Sequence, residues 1–402
     1  MSKISKMLIL SLVVVSLASA SFATTSRVIA LAGTSNYIND DSNIFRWYGT
    51  LPSYTNMVMA EAGQATGTIG PSGNGDLFTE YQALGFTHSW GEDHWLGTWA
   101  VFLLYNSVED MSFYNFNPLA GIGTEGTNST PTTKFVFSWG NEIEDVVSYG
   151  INFTRSDASF ETTAGGTNDI NYTTIGGGAR FDVGEDAYVD AAATFGFAGG
   201  DSLGGFDNGK AWDLAARLFW EVRDDVTVVP FLGWRAFDLA YEDLAATSGL
   251  KSSDFQAGAS LNFDVNTNNM LIFATEIEFV TLEPSKVAPG DQNEIKVTHL
   301  PKFFVALESD VTSWLTTRVG ATKTMRKIED TDFAGDESIS TAPSFEGGDF
   351  DWSLGAGFHV GEWDIDAVFS HEIPFRLGYW LTGYGVGDLD PPVGRVSGTY
   401  RF

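Results

Sequence analysis

The sequence has no cysteine, which removes disulfide frameworks, thiol catalysis and thioether attachment of haem together. Bases are scarce: 22 Lys and Arg stand against 52 Asp and Glu, giving a net charge of −30. Such a chain repels polyanions, so nucleic acid is not an expected partner. Beyond the first twenty residues no apolar run is long enough for a membrane-spanning helix. The five histidines, His88, His94, His299, His359 and His371, never fall at metal-ligand spacing. The acidic stretch Glu329-Asp330-Thr331-Asp332, with Asp336 and Glu337, lacks the EF-hand pattern and reads as a solvated loop. No metal, no cofactor and no enzymatic activity are therefore expected.

What is present is a leader followed by alternation. Lys3 and Lys6 precede the apolar run Met7 to Leu17, and Ala18-Ser19-Ala20 supplies small residues where a signal peptidase cuts. Residues 1–20 are read as a signal peptide cleaved after Ala20, with Ala23 as the alternative, which implies export. Glycine (44 residues) and aromatics (14%) are abundant and only 18% of residues are charged, a balance that suits short alternating strands.

From residue 55 onward about sixteen segments alternate with period two, the mark of strands with unlike faces. In 253–265 the row Phe255, Ala257, Ala259, Leu261, Phe263 opposes Gln256, Gly258, Ser260, Asn262, Asp264. Short polar turns such as Arg223-Asp224-Asp225 interleave with long stretches such as 108–132, 282–299, 327–349 and 372–393. Trp90, Trp95, Trp139, Trp220, Trp314 and Trp363 cluster beside the short turns, where a bilayer interface would lie. An all-β transmembrane antiparallel barrel of about sixteen strands follows, fourteen being the alternative, with short periplasmic turns and long extracellular loops.

The ending carries a resemblance. Val396, Gly398, Tyr400 and Phe402 take one face of the last strand and Ser397, Thr399 and Arg401 the other. This resembles the closing strand of bacterial outer-membrane β-barrel proteins, in which the terminal Phe is the assembly signal; that resemblance implies recognition of Tyr400 and Phe402 by the barrel-assembly machinery. Residues 26–45, SRVIALAGTSNYINDDSNIF, followed by RWYGTLPSYTNMVMAEAG, resemble the amino-terminal segment of FadL-like and PorV-like barrels, which reaches into or plugs the lumen. The Asn-Pro-Ala turn of those families is replaced by Trp47-Tyr48-Gly49-Thr50-Leu51-Pro52. Asp40 and Asp41 read as capping or turn residues. The organisation expected is signal peptide 1–20, a periplasmic or luminal segment 21–54, and the barrel 55–402.

The alternation places Glu80, Asp190, Asp213, Glu221, Asp264, Glu276, Glu278, Glu308, Asp364 and Asp366 on the inner face, with Lys134, Arg180, Arg217, Arg235 and Arg318. Acids outnumber bases there, as in a water-filled porin that prefers cations. The expected function is an outer-membrane channel for passive diffusion of small hydrophilic solutes, probed against two rivals: a FadL-like carrier of hydrophobic compounds, and a PorV-like or structural barrel that docks proteins. Expected partners are outer-membrane lipid and lipopolysaccharide, small solutes or ions, and a further copy in a homo-oligomer.

Overall fold

The computed structural model describes residues 25–64, 80–90, 96–105, 133–143, 146–161, 167–201, 206–241, 248–283, 293–332, 338–340, 350–369 and 393–402. The leader with its cleavage site, His94, His371, Trp95, Asp336 and Glu337 lie outside these residues. The strands are β1 (Met57–Gln64), β2 (Glu80–Ser89), β3 (Thr98–Tyr105), β4 (Thr133–Ile143), β5 (Val147–Glu161), β6 (Thr167–Asp182), β7 (Ala187–Asp201), β8 (Phe206–Arg223) and β9 (Val226–Tyr241). They continue with β10 (Ser248–Asn266), β11 (Asn269–Glu283), β12 (Asn293–Thr312), β13 (Leu315–Asp332), the three-residue β14 (Ser338–Ser340), β15 (Phe350–Val360), β16 (Trp363–Phe369) and β17 (Val393–Arg401).

Each strand pairs antiparallel with the next, and β17 pairs with β1 in the register Met57↔Arg401 to Gly63↔Arg395. Because β14 rests only on the end of β13, and β13 pairs directly with β15, the closed ring has sixteen strands. Closure leaves no row of unpaired backbone groups, which a sheet surrounded by hydrocarbon requires.

The outer row is apolar and open: Leu84, Leu103, Ile151, Ile175, Phe195, Leu232 and Val319 are all exposed. Side chains of this kind, left uncovered around a whole ring, are suited to lipid rather than water. Aromatics edge the belt. Trp90, Trp99, Trp220 and Trp314 are exposed beside the short turns, while Trp212 and Trp234 pack together, centroids 5.8 Å apart, toward the other end. Trp212 and Trp220 share β8, about 27 Å apart along the strand, which fits the hydrocarbon thickness once the strand is tilted.

One reading from the sequence needs correction. The stretches 282–299 and 327–349 are partly ladder: β12 starts at Asn293 and β13 runs to Asp332. These ends rise past the belt, so the apolar half of the alternation, which marks strands in the sequence, fades there. Glu80 opens β2, and its side chain lies outside the described ones.

Candidate functional site

Residues 26–56 lie inside the ring, and the inner wall is built to receive them. The segment opens with a short helix, Thr25–Ala30, beside β13, β15, β16 and β17. It turns through Ala32 and Gly33, both at positive φ. Asp40 then caps a 3-10 turn, Asp41–Phe45, its carboxylate accepting from the Ser42 amide at 3.0 Å. A second 3-10 turn, Tyr48–Ser53, packs on β4, β5 and β6 before the chain enters β1.

Apolar contacts fix the segment in three places. Ile44, Phe45 and Leu51 pack with Met57, Met59, Phe102, Leu104 and Val136. Tyr37 and Trp47 pack with Phe219, Val229, Phe231 and Phe304. Val28, Leu31 and Ile38 pack with Ile272 and Ala306. Glycines on the inner row let the backbone come close. A Cβ on Gly258 would stand 2.1 Å from the Tyr37 hydroxyl, and one on Gly176 would stand 2.4 Å from the Tyr48 ring.

Several inner-row charges hold this segment. Arg27 donates to both oxygens of Glu308 at 2.8 Å and to Asp40 at 3.1 Å. Arg318 approaches Glu308 from the other side at 2.5 Å and also binds Asp366. The result is an alternating chain, Asp40, Arg27, Glu308, Arg318, Asp366, in which the Arg27–Glu308 link is bidentate. Across the lumen Asp190 accepts from Arg180 at 2.6 Å and from Arg217 at 2.9 Å. Arg217 is wholly buried; it donates to the carbonyls of Ser35 and Ile38 at 3.0 Å and lies 4.4 Å from the Trp47 ring centroid. A guanidinium so enclosed is tolerable only because carboxylate, carbonyls and an aromatic face replace its water. Arg46 reaches Asp213 at 3.1 Å, and the Tyr37 hydroxyl donates to Glu276 at 3.1 Å.

Of the residues expected to line a wet path, Asp190, Asp213, Glu276, Asp366, Arg217 and Arg318 are instead buried. Sequence parity identifies the wall face but not what leans on it. Glu221 and Asp264 are exposed near the short-turn mouth. Asp364 and Arg401 form an ion pair there, and Arg401 also holds Asp41 at 2.8 Å. Burial, together with the Asp40 carboxylate beside it, pushes the Asp41 carboxyl up to about 6 against the pull of Arg401.

Above the segment, toward the long connections, a half-buried polar group remains in contact with solvent. Arg235 pairs with Asp254 at 2.8 Å, Gln256 donates to Asp254 at 3.0 Å and to Glu278 at 2.8 Å, and His299 pairs with Glu278. Lys302 stands 4.0 Å from Glu276. Lys134 is on the inner row of β4.

Sequence reasoning missed Arg27, Tyr37, Arg46 and Trp47. A signal was there in β3, TWAVFLLY, which is apolar on both faces where a wet lumen demands one polar row. One further pattern, Gly200-Asp201-Ser202-Leu203-Gly204, has the spacing of a nucleophile elbow. It joins antiparallel β7 to β8, whereas the elbow is a strand-to-helix turn, and Ser202 to Gly204 lie outside the described residues. Among the described residues no three His, Asp or Glu side chains gather as a metal site.

A closed antiparallel ring with an exposed apolar belt edged by tryptophans decides the class. The chain is a β-barrel of the bacterial outer-membrane kind. No family model and no curated protein matches it. Among solved structures it is similar to the alcaligin outer-membrane receptor FauA from Bordetella pertussis, at 10% identity and a TM-score of 0.43, over 79% of this chain and 61% of that one. It is similar to the outer-membrane channel DcaP of Acinetobacter baumannii at 13% identity and 0.36, over 74% and 93%. The ferric-catecholate import receptor Fiu from K12 E. coli matches at 9% identity and 0.38, and this barrel spans about half, 49%, of that receptor's length. These likenesses bear on fold alone.

Proposed function

We propose that the barrel is an outer-membrane channel for small hydrophilic solutes, cation-preferring, which rests closed because its own amino-terminal segment crosses the lumen. One observation supports this most: the segment's ionic contacts fall on walls far apart in the ring, at Glu308 on β12, Asp213 on β8 and Arg401 on β17. Ion pairs and apolar contacts share the hold on the segment, and only the exposed ends of the ion pairs respond to screening or competition. The solvent-touching group around Asp254 and Glu278 would meet the solute first, and the chain's net charge of −30 favours cations. Tyr400 and Phe402 keep the role of assembly signal in this reading, and no catalytic step is assigned.

Conductance in planar bilayers tests it. The wild type is expected to be silent with rare openings, and Arg27→Ala with Arg46→Ala to open often and pass cations. A second reading, a permanently filled barrel that docks other proteins, is supported by the three apolar contacts of the segment. A double variant that folds yet never conducts would favour it.

A further inference from the structure

The His359 ring is engaged through both of its nitrogens. Nδ1 lies 2.7 Å from a carboxylate oxygen of Asp364, its register partner on β16, and Nε2 lies 2.9 Å from the Thr316 hydroxyl on β13. Thr316 in turn donates to Asp310, its register partner on β12, at 2.5 Å. The row Asp310, Thr316, His359, Asp364 therefore makes three hydrogen bonds, and three hydrogen bonds need three protons. The hydroxyl supplies one and a neutral imidazole another, while an ionised carboxylate only accepts. With the Thr316 proton turned to Asp310, Nε2 has to donate to Thr316; with Asp364 accepting, Nδ1 has to donate too. The ring that meets both demands is the imidazolium. Imidazole is also the side chain that ordinarily gains or loses its charge between pH 5 and 8. The row lies at the short-turn mouth, where His359 and Asp364 are half-buried and Asp310 is exposed, so its third proton exchanges with the solution there.

The row continues into the inner segment. Asp364 also pairs with Arg401 on β17, and Arg401 binds both carboxylate oxygens of Asp41. With the imidazolium in place the charges alternate, from Asp310 through His359, Asp364 and Arg401 to Asp41. Without that proton Asp364 keeps Arg401 as its one positive partner and draws the guanidinium away from Asp41. The remaining charges around the row are engaged elsewhere or open to water. Arg318 pairs with Glu308 and Asp366 one step inward, Asp40 pairs with Arg27, and Glu362 is exposed in the turn between β15 and β16.

We propose that His359 is the proton-binding member of a latch: with the proton bound, Asp364 is shared and Arg401 holds the segment, and when the proton leaves, the hold on Asp41 slackens and the segment is released. The inference rests on the reading above in which the segment can leave its seat, and it names what regulates that event. Its sign is definite. The seated state binds one proton more than the released state, so release increases with pH, by at most about tenfold per pH unit for a single proton.

Because the sequence has no cysteine, one introduced thiol reports the seat without conductance. Ser42→Cys, buried next to Asp41, is exposed to a thiol reagent in the full detergent-solubilised barrel from pH 5 to pH 8, and each rate is divided by that of the unfolded chain at the same pH, which cancels the ionisation of the thiol. The ratio is expected to rise about tenfold or more across this range. Asp41, held at about 6, contributes with the same sign, so the latch is read as the part of the rise that His359→Gln and Thr316→Val remove and Thr316→Ser keeps. Nitrogen-15 spectra of histidine-labelled protein supply the second measurement: the signal that His359→Gln abolishes should show both ring nitrogens protonated where the thiol is shielded and one protonated where it reacts. A ring that loses its proton with no change in thiol rate, or a rise that His359→Gln leaves intact, would overturn the latch alone. A thiol shielded at every pH, in the Arg27→Ala, Arg46→Ala background as well, would sink the releasable segment and the latch with it. A heat-modifiable gel band from every variant shows that the ring has formed.

Discussion

Arg401 binds both carboxylate oxygens of Asp41, at 2.8 and 3.1 Å, across 360 residues of sequence. The last strand of the ring thereby grips the segment that precedes the first. Thr399 adds a hydrogen bond to the same carboxylate at 3.2 Å. Arg401→Ala should lower the temperature at which the heat-modifiable band shifts and raise channel opening together, because one side chain serves both the seam and the segment. A change in one without the other would separate the two roles.

Asp41 also gives a pH dependence with a definite sign. Its carboxyl is held at about 6 in the folded chain against 3.8 ordinarily, so the folded state binds the proton more tightly. Stability linked to this group should rise as pH falls through about 6, level off near pH 4, and amount to at most about 3 kcal/mol. Thermal unfolding of wild type and Asp41→Asn at pH 7 and pH 5 checks it: the wild type gains on acidification and the variant lacks that gain.

Glu308 stands between two guanidiniums, Arg27 and Arg318. Glu308→Gln removes the shared counter-charge while Arg27 keeps Asp40 and Arg318 keeps Asp366, a loss of about 1 to 3 kcal/mol. Arg27→Ala should cost less, since Glu308 keeps Arg318. Chemical unfolding in detergent gives the order, and a larger loss for Arg27→Ala would contradict the arrangement.

Gly258→Ala should dislodge Tyr37 without unfolding the ring. The added methyl would stand 2.1 Å from the Tyr37 hydroxyl and 2.8 Å from the Thr275 carbonyl, while the ladder Gly258↔Glu276 can persist. More frequent conductance with an unchanged far-ultraviolet dichroism spectrum is the expected outcome.

Selectivity should depend on whether the segment is seated. Glu276 and Glu278 share one face of β11, but Glu276 is buried under Tyr37 and Glu278 is engaged by Gln256 and His299. Glu276→Gln with Glu278→Gln should lower cation preference in the Arg27→Ala, Arg46→Ala background, and neutralising Asp330 and Asp332 should matter much less. Reversal potentials across a salt gradient measure this.

The ring was legible because period two survives wherever lipid faces one side: 253–265 falls within β10, Ser248–Asn266, and stops short only where that strand rises past the belt. The inner row was legible as a face, and Asp213, Arg217 and Glu276 are buried there. Their occupant was not legible, for the ion pairs that decide it join residues hundreds of positions apart, such as Arg27 with Glu308. Periodicity carries no information about such pairings. The family resemblance of residues 26–45 pointed to the lumen, but only the both-sided apolar run at Phe102 and Leu104 shows in residue chemistry that something dry must lie against the wall.

The inner segment is continuous with β1 through Asn56, a residue at positive φ whose carbonyl accepts from the Phe402 amide at 2.9 Å. A stopper on so short a leash never diffuses away. Once swung out, it faces its seat at an effective concentration of the order of millimolar, so re-closing is a matter of local geometry and is indifferent to how many copies the membrane holds. Under the proposed function, a released segment would therefore return to its seat without a partner or an energy source.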